Sequence, residues 1–151
     1  MGSQQGDVEA SLSTIRRLTD TDFAALAWTD EKNQTVHWRH ASGNRNDRFK
    51  RIVMRPNKGV AGSVIRSGRP LILKSFTPKS GDDPQDYSIL LAENLKSAII
   101  VPLTINERVK GVLLVGCRHL RTFDEQSIEL VIDFAEQMGA MIQYSIDHAP
   151  T

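Results

Sequence analysis

The segment Asn57-Lys58-Gly59-Val60-Ala61-Gly62-Ser63-Val64-Ile65-Arg66-Ser67-Gly68-Arg69-Pro70 holds the residue types and spacing that point most directly to chemistry. Gly59 permits a sharp backbone turn, Val60, Ala61, Val64 and Ile65 recur at helical spacing, and Gly68 followed by Pro70 forms a helix stop. A glycine turn opening onto a helix leaves the N–H groups of the first turn, and the positive end of the helix dipole, without intrahelical partners. No Asp or Glu stands in the segment to satisfy them, so the chemistry on offer is the holding of a small anion. A plain structural turn that binds nothing is the alternative reading of the same residues.

The charge distribution favours the anion. Across residues 39–69 there are nine basic residues (Arg39, Arg45, Arg48, Lys50, Arg51, Arg55, Lys58, Arg66 and Arg69) against one acid, Asp47. Beyond Arg121 there is no Lys or Arg, while Asp124, Glu125, Glu129, Asp133, Glu136 and Asp147 make the end acidic. The basic third surrounds the glycine turn and would draw anions toward it. It is not interleaved with stacking aromatics and carries no nucleic-acid motif, which argues against nucleic acid as a partner. The single cysteine, Cys117, closes the apolar run Val112-Leu-Leu-Val-Gly-Cys117 and reads as a buried strand thiol. Strict alternation puts His37 and His40 on opposite faces of a strand, and no His, Cys or carboxylate set has metal-ligand spacing. No nucleophile stands beside a base, so no catalytic residue and no cofactor is implied.

The elements that must position these residues follow from periodicity. At 151 residues, 40% hydrophobic and 25% charged, the chain fits one globular domain spanning 1–151, with residues 1–6 expected to be disordered. No secretory leader is evident and the longest apolar run is too short to cross a bilayer, so a cytoplasmic protein away from membranes is expected. Val8, Leu12, Ile15 and Leu18 predict an amphipathic first helix. Residues 23–28 and 35–41 form a hairpin, and residues 98–105 and 109–118 a second, with Gly111 and Gly116 as candidate bulges. Short extended segments at 51–55 and 70–73 bracket the glycine turn. Residues 77–84 read as a mobile surface loop and 84–95 as a helix with Pro near its first turn.

Thr122-Phe-Asp-Glu125 predicts a capping box for a long final helix. Ile128, Val131, Ala135, Met138 and Ile142 form one apolar stripe there; Leu130, Phe134 and Met141 form another, which needs the first helix or a second subunit as its partner. Dimerisation through the terminal helices is therefore an expectation. The fold class is α+β.

The order of elements, with Gly59-Val-Ala-Gly62-Ser-Val-Ile-Arg-Ser-Gly68-Arg-Pro70, Ser97-Ala-Ile-Ile-Val-Pro102-Leu103, Gly111-Val-Leu-Leu-Val-Gly116 and Arg121-Thr-Phe123, resembles a GAF domain, the small-molecule sensing module. The resemblance implies a central antiparallel sheet, N- and C-terminal helices on one face, and short helices forming a ligand pocket on the other. Several chemistries of that family lack their residues here. One cysteine cannot form the intramolecular disulfide of a free methionine sulfoxide reductase, and no histidine lies between His40 and His119 to serve as a haem ligand. The Asn-Lys-Phe-Asp-Glu motif of cyclic-nucleotide GAF domains is absent.

Thr35-Val-His-Trp38-Arg-His-Ala-Ser-Gly-Asn44, Phe49-Lys50-Arg51-Ile52, the glycine turn and the length are similar to the stand-alone nitrate receptors of the NreA family. These are single-domain GAF proteins that partner a cytosolic sensor histidine kinase. The resemblance implies Val60 and Ala61 as backbone donors to the anion, Trp38 as an aromatic or indole N–H contact and Met54 as an apolar wall. It also implies Tyr87 and Leu90 from a lid at residues 82–95. Nitrate is flat, monovalent and weakly hydrated, so an apolar-walled helix N-terminus suits it, whereas phosphate or sulfate would call for Arg or Lys inside the pocket. The expected function is a cytosolic nitrate sensor regulating a sensor kinase. The alternatives are a GAF module for another small metabolite and a ligand-free dimerisation domain of a sensor kinase.

Overall fold

The computed structural model describes residues 4–78, 81 and 83–148. In β1 (Phe23–Asp30), Phe23, Ala25 and Ala27 join one buried cluster while Ala24 and Leu26 join another, the alternation of a strand covered on both faces. The same division recurs in β5 (Ser97–Ile105), with Ala98 and Ile100 against Ile99, Val101, Leu103 and Ile105. In β6 (Arg108–Cys117) it sets Val112 and Leu114 against Leu113, Val115 and Cys117. With β2 (Thr35–Ser42), β3 (Val53–Met54) and β4 (Leu71–Leu73) these strands make one antiparallel sheet in the order β3-β2-β1-β6-β5-β4.

One face carries α1 (Gln4–Thr19) through Val8, Leu12 and Ile15, and α4 (Glu125–Asp147) through Val131, Ala135, Met138 and Ile142. The other carries α2 (Gly59–Ser67), a 3₁₀ turn at Pro84–Tyr87 and the one-turn α3 (Ser88–Ala92). This is the α+β arrangement that the sequence implies. Leu130, Phe134 and Met141, the second stripe of α4, are half-buried against the α1 and α4 core within a single chain. Among the described residues no helix is long and apolar enough to cross a membrane.

Several local expectations are corrected. α1 begins at Gln4, so half of the six-residue segment expected to be disordered carries helical backbone; residues 1–3 lie outside the described residues. The final helix is capped by Asp124, whose carboxylate accepts from the Ser127 N–H at 2.8 Å, and not by Thr122. Both residues are good cap types, and the one whose backbone is extended directly before the helix wins. The expected helix at 84–95 is a 3₁₀ turn followed by five α-helical residues. Residues 79, 80 and 82 of the expected surface loop lie outside the described residues.

Of the two glycines offered as bulges, Gly111 adjoins one: pairing slips from Leu103↔Gly111 to Thr104↔Val109, leaving Lys110 extra. Gly116 keeps its register opposite Ala98. A second bulge, unforeseen, lies in β2, where Leu26↔His40 is followed by Ala27↔Trp38 and Arg39 is the extra residue. It reverses the alternation, so His37 and His40 share the face opposite Trp38.

Candidate functional site

The glycine turn folds as its residues require. Gly59 enters α2 with φ of 72°, a left-handed conformation that glycine adopts without a Cβ clash. Gly62 lies under the turn that precedes the helix, and a Cβ there would come within 2.9 Å of the Pro56 carbonyl oxygen. Gly68 closes the helix, its N–H donating to Val64 O at 2.8 Å.

The N-cap position is Lys58, with extended backbone and no side-chain hydrogen bond to the helix, and the first turn holds no acid. The first bond closing this end is Gly62 N–H to Lys58 O at 3.1 Å. The N–H groups of Gly59, Val60 and Ala61 precede it and have no acceptor within the helix. Val60 and Ala61 are buried, so these donors stand in an apolar setting.

Trp38 is opposite Ala27 in β2 and is 2% exposed. Its indole Nε1 is buried and has no hydrogen-bond partner. A buried donor left unmatched costs about 1–3 kcal/mol, and buried Trp ordinarily finds a partner. Met54 pairs across from Val36 at the sheet edge and is buried in the same cluster as Trp38, Val60, Ala61 and Leu90. Tyr87 packs against that cluster half-buried, its ring 4.9 Å from Phe76. The six residues singled out in the sequence therefore come together on the pocket face.

Two cavities open beside them. One, about 610 Å³, is lined by Met54 together with the basic residues Arg51, Arg55 and Lys58 and with Asp83, Asp86 and Ser88. The second, about 330 Å³, is lined by Gly59, Val60, Ser63, Leu71, Leu73, Asp86 and Tyr87. Arg55 and Lys58 are exposed at the cavity wall rather than in the core, the placement that a charge on a flexible stem favours. Trp38, Ala61 and Leu90 line neither of these two cavities; they lie in the core cluster that Met54 and Val60 share and that Leu71, Leu73 and Tyr87 pack against.

Sequence reasoning missed the fastening of α3 to the sheet. Glu93, directly after α3, is fully buried and pairs with Arg118 at 2.6 Å. The same Oε1 accepts from Arg45 N–H at 2.9 Å, while Oε2 has no partner. Arg118 also donates to Glu93 O at 2.9 Å and to Gly43 O at 3.1 Å. Three segments distant in sequence meet there, which local patterning cannot reveal. The fold also gathers Asp22, Cys117 and His119 on the opposite side of the sheet, with their potential ligand atoms within 4.8 Å of one another. Only Cys117 and His119 are neighbours in sequence. On that side His40 packs 5.7 Å from the Trp28 ring with Arg39 over the same ring at 4.7 Å, and burial pushes the His40 imidazole below its ordinary pKa.

A family model of the GAF domain matches residues 8–143. The chain belongs to the GAF domain family. A mutated NreA protein from Staphylococcus aureus, structurally characterised with changes in its nitrate binding site, is 34% identical to this GAF domain. That match has a TM-score of 0.71 over 81% of this chain and 91% of that one. The GAF domain of a phosphoenolpyruvate-protein phosphotransferase from Coxiella burnetii gives a TM-score of 0.80 over 97% of this chain and 86% of that one. At 15% identity it shows the fold alone. The HTH-type transcriptional activator RamA of Corynebacterium glutamicum is 28% identical over 121 residues, which make up 80% of this chain and 42% of that protein. This GAF domain thus spans less than half the length of the curated relative it matches.

Proposed function

We propose that this GAF domain is a nitrate sensor that holds the anion at the N-terminus of α2. The observation that carries the reading is the coincidence, in one buried cluster, of an unpartnered indole N–H at Trp38 and an uncapped first turn at Val60 and Ala61. Likeness to an NreA protein with a nitrate binding site supports it. Nitrate accepts hydrogen bonds around its plane and surrenders its hydration at modest cost, as an apolar chamber requires. Arg51, Arg55 and Lys58 lie exposed around the larger cavity, so they attract the anion without ion-pairing it inside, which disfavours phosphate and sulfate. Met54, Tyr87 and Leu90 form the apolar enclosure.

In this reading the domain senses rather than catalyses. Binding orders Trp38 and the lid at residues 83–95, changing the surface presented to a cytoplasmic sensor histidine kinase. The output partner has a second candidate, because the relative RamA carries a matching stretch within a helix-turn-helix activator: the GAF domain would then act on a DNA-binding unit. Dimerisation through α1 and α4 belongs to the same proposal, and light scattering after size-exclusion chromatography checks it, a monomer at high concentration counting against it.

The deciding experiment is thermal unfolding in sodium nitrate, nitrite, chloride, iodide, phosphate and sulfate at matched ionic strength. Nitrate at about 100 times its dissociation constant adds roughly 2.7 kcal/mol, a rise of about 5–10 °C at this size. Equal melting temperatures in nitrate and chloride would overturn the nitrate reading and favour another metabolite or a ligand-free module.

A further inference from the structure

We propose that Asp22, Cys117 and His119 form a divalent-cation site of the zinc class, separate from the anion site. The three come from different segments: Asp22 precedes β1, Cys117 ends β6, and His119 lies in the connection to α4. Their ligand atoms lie within 4.8 Å of one another, and Asp22 Oδ2 is 3.8 Å from His119 Nδ1. A tetrahedral zinc ion with bond lengths of about 2.0–2.3 Å spaces its ligand atoms about 3.3–3.7 Å apart. Rotation of the His119 side chain, 63% exposed, narrows the difference, the Asp22 carboxylate being held by the Arg118 N–H. The thiolate, imidazole and carboxylate donors are those zinc takes, and three protein ligands leave a fourth position for water.

The support around the ligands is already built. Asp22 Oδ2 accepts from Arg118 N–H at 2.8 Å, and Asp22 N–H donates to Gly116 O at 2.9 Å, tying the carboxylate to the strand that carries the cysteine. Ser97 Oγ donates to His119 O at 2.8 Å, holding the histidine backbone. Such outer contacts orient metal ligands before the ion arrives. Cys117 Sγ is 3.5 Å from the Arg121 guanidinium and 4.0 Å from Asp20 O. As the cation binds, the thiol releases its proton to solvent and the ion replaces Arg121 as the positive charge at sulfur. Arg121 keeps its 2.7 Å bond to Asp20 O. The ion would clamp the α1–β1 turn to the end of β6, on the sheet face opposite Trp38.

The test is a titration of the full, reduced chain with Co2+ as the spectroscopic probe, followed by Zn2+. The expected result is a thiolate-to-cobalt charge-transfer band saturating at about one equivalent and abolished by Zn2+. Cys117→Ser should lose the band. Because that position is buried, His119→Ala and Asp22→Asn serve as folded controls, verified by their melting curves; each should weaken Co2+ binding about tenfold or more. Absence of the band at millimolar Co2+ would overturn the proposal, as would unchanged affinity in both folded variants. Nitrate-dependent stabilisation should persist in both.

Discussion

At the scale of single residues, the proposed reading makes the Trp38 indole nitrogen both a stability defect and a binding group. Its indole N–H is buried without a partner, a penalty that no packing contact in the free protein removes and that an anion would relieve. Trp38→Phe keeps a ring in the core while deleting the donor. Stability without nitrate should therefore change by less than about 1 kcal/mol, the lost volume being offset by the removed orphan. Nitrate affinity should fall about 10- to 100-fold, as expected for a hydrogen bond to a charged group. Thermal shifts over a nitrate series measure both quantities, and unchanged affinity would remove Trp38 from the site. His40 makes a second residue-scale case. Burial, the largest cause, holds its pKa down and adjacent Arg39 adds to this, while Glu9 opposes them. Because the folded state then binds fewer protons than the unfolded chain, stability is full at neutral pH and declines as pH falls through the ordinary histidine range. Melting temperatures between about pH 7.5 and 5.5 should drop more for the natural chain than for His40→Phe; equal slopes would mean that His40 protonates freely in the fold.

At the scale of elements, α2 is the clearest translation of sequence into structure. Its start, its stop and the want of a capping acid were all legible from Asn57 to Pro70, because each rests on local chemistry: a positive φ at Gly59, a C-cap at Gly68 and no carboxylate in between. The bulge at Arg39 was not legible, since it arises from pairing between β1 and β2, and it alone decides that His40 shares a face with His37. The cap of α4 shows the limit of motif reading: Thr122 and Asp124 are both cap types, and the path of the chain after β6 selects Asp124. The open end of α2 gives a prediction at this scale. Lys58→Asp puts a carboxylate at an N-cap whose backbone is already extended, where it can accept from the first-turn N–H groups. The variant should gain about 1 kcal/mol of stability without nitrate and lose most of its nitrate response, because the side chain then occupies the donors. Urea unfolding with and without nitrate checks both halves; a stabilised variant that still binds nitrate would place the anion elsewhere.

For the whole molecule, the sheet separates two faces with different work. The α1 and α4 face is a continuous apolar core, readable from helical stripes and strand alternation, whereas the pocket face adds to α2 the one-turn elements Pro84–Tyr87 and α3, whose periodicity is too short to read. What ties these short elements to the sheet is the Glu93–Arg118 pair, which joins α3 to the end of β6 and to Gly43 and Arg45 beyond β2. None of these contacts spans fewer than 25 residues, so sequence patterning gave no hint of them. Arg118→Ala should be costly for a stated reason: the Glu93 carboxylate stays fully buried with one oxygen unpartnered and the other left only with the Arg45 N–H. Removing one member of such a buried pair destabilises by about 3 kcal/mol, much of it the penalty of the charge left behind. If the pair acts as the anchor of the lid, amide exchange should accelerate most in α3 and around Arg45, with α4 affected only through global unfolding. Denaturant unfolding with hydrogen exchange measures this. A loss below about 1 kcal/mol, the range of an exposed ion pair, would mean that Glu93 finds another partner and that the lid is held by Ile89 and Leu90 packing alone.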